Sequence, residues 1–215
     1  MALLIPVCVA CFYVVSRLWP ELLPKVQVAS FDQAFKESTL AEGWRYLWNP
    51  QGPIGSTSNY VEMKWNGRSY GPDEDDRYPR PLPGRYMKLG QRGGHPGSGS
   101  NQVTRTLGRF DRYAIAAFTA PNSGVYNLGN TRVCRHDGDL RGNVDLRVFM
   151  NEREVGPTVF CDSRDGLPFD RELGRLSAGD TIYVAVGPNG IDTYDAFRLD
   201  FAVVRRFGSG SWFGK

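Results

Sequence analysis

The chain has 215 residues, of which 41% are hydrophobic and 13% aromatic, and its formal net charge is +3. Its 25 glycines and 14 prolines argue against a helical bundle or a coiled coil, and its aromatic content argues against a disordered chain. The charge excess lies in residues 205–215, which hold Arg205, Arg206 and Lys215 and no acid. The rest of the chain is balanced, so nucleic acid is not an expected partner.

The first candidate element is an apolar N-terminal segment, residues 1–19. Residues 2–15 carry no charge. A helix extended to Trp19 would be about 27 Å long, close to the ~30 Å hydrocarbon core of a bilayer. We expect a retained membrane helix or interfacial anchor; a cleaved signal peptide is the alternative, but no basic residue precedes Arg17. The residues expected at the lipid boundary are Phe12, Tyr13, Arg17 and Trp19.

The folded domain is predicted to span residues 43–204, after a linker with a short helix over residues 20–42. Glycine, proline and aromatic residues predominate up to about residue 113, which predicts loops and short strands. Apolar and polar residues then alternate with a period of two, as is typical of half-buried antiparallel strands. The alternating segments are residues 112–120, 143–150, 180–187 and 196–204. The predicted fold is all-β, a two-sheet antiparallel jelly-roll-like sandwich with an N-terminal apolar membrane helix or anchor.

Four sequence blocks occur together in one order, and the last of them, GDTIYVAVGPNGIDTYDAFRLDF, is the most specific. The blocks are residues 43–60, 93–99, 112–119 and 179–201. Together they resemble secreted bacterial jelly-roll β-sandwich modules of the carbohydrate-binding type, over about residues 30–204. The resemblance implies a non-catalytic role and glycan binding, and it brings no set of ligand residues with it.

The chain carries no recognised catalytic motif. Its two histidines, His95 and His136, lie in polar loops, and we expect no enzymatic activity. A structural calcium ion is the cofactor that the acidic loops suggest, since calcium binds carboxylate and backbone oxygens. Residues 73–76 and 137–145 are alternative sites. The preferred ligands are Asp192, Asp195 and Asp200, and the competing interpretation is that these residues cap turns or pair with arginine.

Two cysteines, Cys134 and Cys161, flank the strand predicted over residues 143–150. On neighbouring strands outside the cytoplasm such a pair would be oxidised to a disulfide. Two buried free thiols are the alternative. The apolar N-terminal segment predicts a membrane-associated protein, and we expect its sandwich on the periplasmic or extracytoplasmic side, as in the secreted modules that it resembles. Arg17 and Lys25, which follow the apolar run, would instead place the sandwich inside by the positive-inside rule.

Aromatic residues are dense between residues 44 and 78, and the tail (residues 205–215) adds an aromatic pair beyond a Gly/Ser stretch. Rings of this kind are interpreted as core, as a protein interface or as a glycan-binding face. The predicted contact residues are Trp44, Tyr46, Trp48, Trp65, Tyr70, Trp212 and Phe213.

Two functions remain open on the sequence. The first is a non-catalytic, membrane-tethered sandwich that serves as a structural or assembly subunit of a larger complex. Its partners would be integral membrane proteins and, through the N-terminus, membrane lipid; respiratory and photosynthetic complexes are compatible hosts. The second is a carbohydrate-binding module at the cell surface, with a glycan as its ligand.

Overall fold

The computed structural model describes residues 24–36, 38–72, 87–97, 109–136, 142–190 and 195–206. These residues form two antiparallel sheets that enclose one hydrophobic core. The predicted all-β, two-sheet antiparallel sandwich is therefore confirmed. The jelly-roll-like topology stays a prediction.

The first sheet, sheet A, carries both ends of the described chain. Its strands in spatial order are β13 (Arg171–Leu176), β9 (Gly124–Arg135), β15 (Phe197–Arg206), β7 (Gly93–His95), β6 (Lys88–Gly90), β5 (Tyr70–Gly71) and β4 (Lys64–Trp65). A further strand, β1 (Lys25–Ser30), pairs with the C-terminal half of β15.

The second sheet, sheet B, packs against sheet A. Its strands in spatial order are β11 (Arg153–Glu154), β10 (Val144–Met150), β14 (Thr181–Gly187), β8 (Ala114–Thr119), β2 (Trp44–Trp48) and β3 (Val61–Glu62), and β12 (Val159–Cys161) pairs with the start of β10. Two short helices complete the described elements, α1 (Phe31–Ala34) and a 3-10 turn (Thr57–Asn59).

The alternation of apolar and polar residues along the strands explains most of the core. In β15, the buried Phe197, Leu199 and Phe201 alternate with exposed residues, and their side chains enter the core between the sheets. The central strand β14 is different, because all its residues are buried. A second, smaller apolar cluster on the outer face of sheet B accounts for this difference, since Ile54 and Tyr60 pack over it.

The segment predicted as a linker, residues 20–42, differs in the structure. Residues 25–30 form β1, and α1 follows at once. Phe31 of α1 is fully buried: its ring stacks on Phe201 at 5.4 Å and lies 5.7 Å from the ring of Tyr46. These residues therefore belong to the sandwich. Their short strand escaped prediction because its side chains are mostly exposed.

The sandwich has two distinct ends. At one end, here called the loop end, β14 ends and β10 and β15 begin. Asp145, near the start of β10, pairs with Gly187, the last residue of β14. Phe197, the first residue of β15, pairs with Arg135, the last residue of β9. At the other, here called the terminal end, the short turn of residues 120–123 joins β8 to β9, and Lys25 pairs with Arg206. Both ends of the described chain therefore leave the sandwich at the terminal end.

Within the described ranges, no helix is long and apolar enough to cross a membrane. The predicted anchor, residues 1–19 with Phe12, Tyr13, Arg17 and Trp19, lies outside those ranges. So do Trp212 and Phe213 of the tail.

Replacing Phe31 by alanine tests whether α1 is part of the fold. Removing a fully buried phenyl ring typically costs about 3–5 kcal/mol, and we expect a loss of this size in the free energy of unfolding measured in urea. The matched control is Phe160→Ala: Phe160 is 60% exposed, so its truncation should change stability by less than about 0.5 kcal/mol. Equal effects of the two substitutions would contradict the assignment.

Candidate functional site

A polar cluster occupies the loop end of sheet B. Its members are Asn49, Asp111, Tyr113, Asn143, Asp145 and Asn189. Asn49 is fully buried just beyond β2. Its Nδ2 donates to the carbonyl oxygens of Gly52 at 2.7 Å and Asp111 at 2.9 Å, and its Oδ1 accepts from the Tyr113 N–H at 2.6 Å. One amide thus ties residues 49–52 to residues 111–113.

Asp145 of β10 is the central carboxylate of this polar cluster. Its Oδ2 accepts from the Tyr113 hydroxyl at 2.6 Å, and its Oδ1 accepts from the Asn189 N–H at 3.0 Å. The residue is only 4% exposed, and burial raises the pKa of its carboxyl. Nearby Asp111 also raises this pKa, whereas the two hydrogen bonds and Arg147 lower it.

The turn of residues 187–190 is held by three side chains of the polar cluster. Besides the bond to Asp145, the Asn189 Nδ2 donates to Asn143 Oδ1 at 2.8 Å, and the Gly190 N–H donates to Asp111 Oδ2 at 3.0 Å. Asn189 adopts a left-handed backbone, with φ of 44°, which asparagine tolerates better than most residues. The turn is therefore fixed by side chains that come from distant parts of the sequence.

Two exposed phenyl rings adjoin the polar cluster. Phe160 of β12 is 60% exposed and is the register partner of Asp145, so the two residues share the outer face of sheet B. Phe110 is 40% exposed and precedes Asp111 in the chain. The two other exposed large apolar side chains of the described chain, Val26 and Val28, lie on β1.

The chemistry of this arrangement is that of a recognition surface. The exposed amide of Asn189 and the half-buried amide of Asn143 bond to each other through one atom each. Within the described structure, Asn189 Oδ1 and Asn143 Nδ2 make no hydrogen bond to protein. An acceptor and a donor are thus left for ligand or solvent at the loop end of sheet B, on whose outer face Phe160 is also exposed, which suits a ligand with both hydroxyl groups and C–H faces.

Two of the predicted calcium ligands, Asp195 and Asp200, lie in different surroundings. Asp195 is fully buried at the loop end, before β15, whereas Asp200 lies on the exposed face of β15 opposite Arg132. Asp192 lies outside the described residues. In the part of the chain that the structure describes, no group of three or more His, Cys, Asp or Glu side chains is arranged to hold a metal. Asp195 and Asp200 therefore do not fit one ion.

The predicted disulfide is not formed: Cys134 and Cys161 are both buried free thiols. Cys161 belongs to the core between the sheets, and its Sγ donates to the carbonyl oxygens of Val133 and Ser163, each at 3.4 Å. Cys134 follows the core residue Val133 and pairs with exposed Arg198, so its side chain lies on the other face of β9. Cys134 therefore lies on the outer side of β9, whereas the Cys161 Sγ reaches Val133 of β9 from the core side.

The predicted aromatic contact surface lies mostly in the core. Trp44, Tyr46 and Trp48 are buried on β2, so they offer no ring face to a ligand. Trp65 is half-buried, and its ring packs 5.3 Å from that of the buried Tyr70 and 5.8 Å from that of Phe35. The core interpretation of this stretch, which the sequence left open, is the one that these contacts support.

Little in the sequence predicts the site that the fold assembles. Asp145 alternates with Val144 and Leu146, which predicts a position on the solvent side of its strand, and the Gly-Pro-Asn-Gly turn belongs to the most specific sequence block. Asn49, Tyr113 and Asn189 have no local signal, because their partners lie up to 64 residues away. The one signal for Phe160 is a large ring shortly after the turn-forming pair Gly156-Pro157.

Comparison with known proteins assigns no family. No family model matches the chain. A curated relative, FCS-Like Zinc finger 11 of Arabidopsis thaliana, is 28% identical over 138 residues, which are 61% of this chain and 39% of that protein. A solved family 35 carbohydrate binding module from Clostridium thermocellum covers 43% of this chain and 68% of its own, with 23% identity and a TM-score of 0.27. That structure is of the class that the sequence resembles, but so low a score does not establish a shared fold.

Replacing Asp145 by asparagine should make stability less dependent on pH. A carboxyl whose pKa is raised by folding binds its proton more tightly in the folded state, so the free energy of unfolding falls as the pH rises from its ordinary value of 3.8 through the folded pKa. Asparagine keeps an acceptor for the Asn189 N–H and does not titrate. Urea unfolding across this pH window should show the wild type losing stability relative to the variant, and parallel curves would contradict the burial of a titrating carboxyl.

Gly187 should not accept a side chain. A Cβ added there would lie 2.6 Å from Asp145 Oδ1, so Gly187→Ala has to displace the carboxylate or the Tyr113 ring. We expect a loss of about 1–3 kcal/mol in the free energy of unfolding. Gly90→Ala is the matched control, since its Cβ would meet only the Gly93 carbonyl oxygen at 3.7 Å. A variant at Gly187 as stable as that control would show that the turn is not fixed against Tyr113 and Asp145.

Proposed function

We propose that this protein is a non-catalytic carbohydrate-binding β-sandwich that binds its glycan at the loop end of sheet B. The observation that carries the proposal is the exposed Phe160 ring, which shares a sheet face with Asp145, the carboxylate that binds the Asn189 N–H. An apolar ring at the same end of the sheet as fixed amide groups matches the two kinds of surface that a sugar presents.

In this proposal the ring and the amides have separate tasks. The Phe160 ring packs against the C–H face of a sugar, as aromatic platforms do. Asn189 Oδ1 accepts from one hydroxyl group and Asn143 Nδ2 donates to another. Asp145 contributes indirectly: its bond to the Asn189 N–H fixes the backbone that carries the Asn189 amide.

A fixed polar cluster lowers the cost of binding. The hydrogen bonds from Asp145, Asn143 and Asp111 hold the 187–190 turn in the absence of ligand. Side chains that are ordered beforehand lose less conformational entropy when a ligand binds. The site therefore has a rigid base, with Phe160 and Asn189 exposed at its surface.

The alternative of a structural subunit in a membrane complex stays a prediction. Its support lies in residues 1–19 and in the tail, of which the structure describes only Arg205 and Arg206. Secretion, a structural calcium ion and the absence of enzymatic activity also stay predictions.

A glycan array followed by calorimetry with the best ligand tests the proposal. We expect Phe160→Ala to weaken binding about tenfold, equivalent to about 1.4 kcal/mol, whereas Phe160→Tyr, which keeps the ring, should bind nearly as well as the wild type. Val28→Ala removes an exposed apolar side chain from the terminal end and serves as the control. The proposal fails if no glycan binds the wild type, or if Phe160→Ala binds as tightly as the control.

A further inference from the structure

A row of basic residues crosses sheet A at the terminal end. Arg175 of β13 pairs with Val125 of β9, Val125 pairs with Arg206 of β15, and Arg206 pairs with Lys25 of β1. Directly paired residues in antiparallel strands present their side chains on the same face of the sheet. Arg175, Arg206 and Lys25, here called the basic row, therefore share one face across four adjacent strands.

The charge of the basic row is only partly balanced. The side chain of Arg206 is only 11% exposed, and its Nη2 lies 3.4 Å from Oε1 of Glu172, a residue whose side chain is 84% exposed. Lys25 and Arg175 are exposed, and neither takes part in an ion pair among the described residues. Two solvated positive charges thus remain on this face, on β13 and β1 with two strands between them, and their combined field favours an anionic surface.

Exposed apolar side chains lie on the same strand as Lys25, and Val26, which pairs with Arg205, is on the face opposite to the basic row. Val26 and Val28 of β1 are 42% and 36% exposed. In the sequence, the uncharged run of residues 2–15 precedes β1, and Trp212 and Phe213 follow β15. Because Lys25 pairs with Arg206, the segments that carry these apolar residues join the sandwich at adjacent points of the same end.

We infer that the terminal end of the sandwich docks on an anionic lipid bilayer, with the basic row against the headgroups. Basic side chains next to apolar ones are the combination that binds the interface of an anionic membrane. A nucleic acid would match the charges but leaves the exposed valines and the uncharged run without a partner. The lipid surface accounts for both features.

This orientation directs the loop end away from the bilayer. The terminal end and the loop end are opposite ends of the same strands, since β15 runs from Phe197 at the loop end to Arg206 at the terminal end. With the basic row on the headgroups, the polar cluster and Phe160 face away from the bilayer. The inference is independent of what the loop end binds.

Co-sedimentation of the full-length protein with vesicles tests the inference. The probes are vesicles of phosphatidylcholine alone and of an equimolar mixture with phosphatidylglycerol. We expect preferential binding to the anionic vesicles that weakens with added salt. Neutralising Lys25 and Arg175 together, as Lys25→Gln with Arg175→Gln, should weaken that binding roughly 25-fold, at about fivefold for each basic residue near the surface.

The matched control neutralises two exposed basic residues at the β6–β7 turn, as Lys88→Gln with Arg92→Gln. It has the same net charge as the test variant and should bind like the wild type. Hydrogen exchange on the vesicles should slow at residues 24–28 and 121–125 and not at 187–190. Equal binding to the two kinds of vesicle, equal loss in the two variants, protection at 187–190, or tighter binding to duplex DNA than to anionic vesicles would overturn the inference.

Discussion

The pairing of β15 with β9 is the interaction on which both ends of the sandwich depend. The register runs from Phe197 opposite Arg135 to Arg206 opposite Val125, with one irregularity between Asp200 and Ala202. Because side chains alternate along a strand, this register sends Phe197, Leu199 and Phe201 into the core and leaves Arg198 and Asp200 outside. A slip of one residue would exchange these two sets. The same register also positions Arg206 beside Lys25.

A second constraint is that both faces of sheet B are covered, so polar residues at the loop end are buried and must bond to one another. Ile54 and Tyr60 close the outer face, and the hydroxyl of Tyr60 accepts from the Gly55 N–H at 2.9 Å. Burial raises the pKa of Tyr60 to about 12, so this hydroxyl keeps its proton at neutral pH. On the same covered face, Asp145 and Tyr113 meet out of water, where an unpartnered carboxylate would be costly. The loop-end network satisfies that carboxylate and fixes the 187–190 turn at once.

The parts of the fold that depend on local alternation could be predicted from the sequence, and the parts that depend on distant partners could not. The period of two in β10, β14 and β15 correctly predicted antiparallel strands. The alternation of Trp44, Tyr46 and Trp48 was compatible with one buried face, which is what β2 has. Asp145 is buried where alternation predicts a solvent-facing side chain, because Tyr113 and Asn189, which bond to it, lie outside its own strand. Cys134 and Cys161 lie on strands of different sheets, β9 and β12, and the face that each one occupies depends on a register that sequence spacing does not contain.

The pairing of the first described strand with the last also constrains how the chain is made. Lys25 and its neighbours find their partners only in residues 202–206, so β1 waits for the C-terminal end of β15 to leave the ribosome. Until then Phe31 lacks the Phe201 ring on which it stacks, and its apolar face is exposed. Contacts between such distant positions close slowly, since the loop entropy must be overcome before they form. The nascent chain therefore carries an unpaired strand through most of its synthesis, and an early stop codon that removed residues 197–206 would leave β1, β7 and β9 without their shared neighbour.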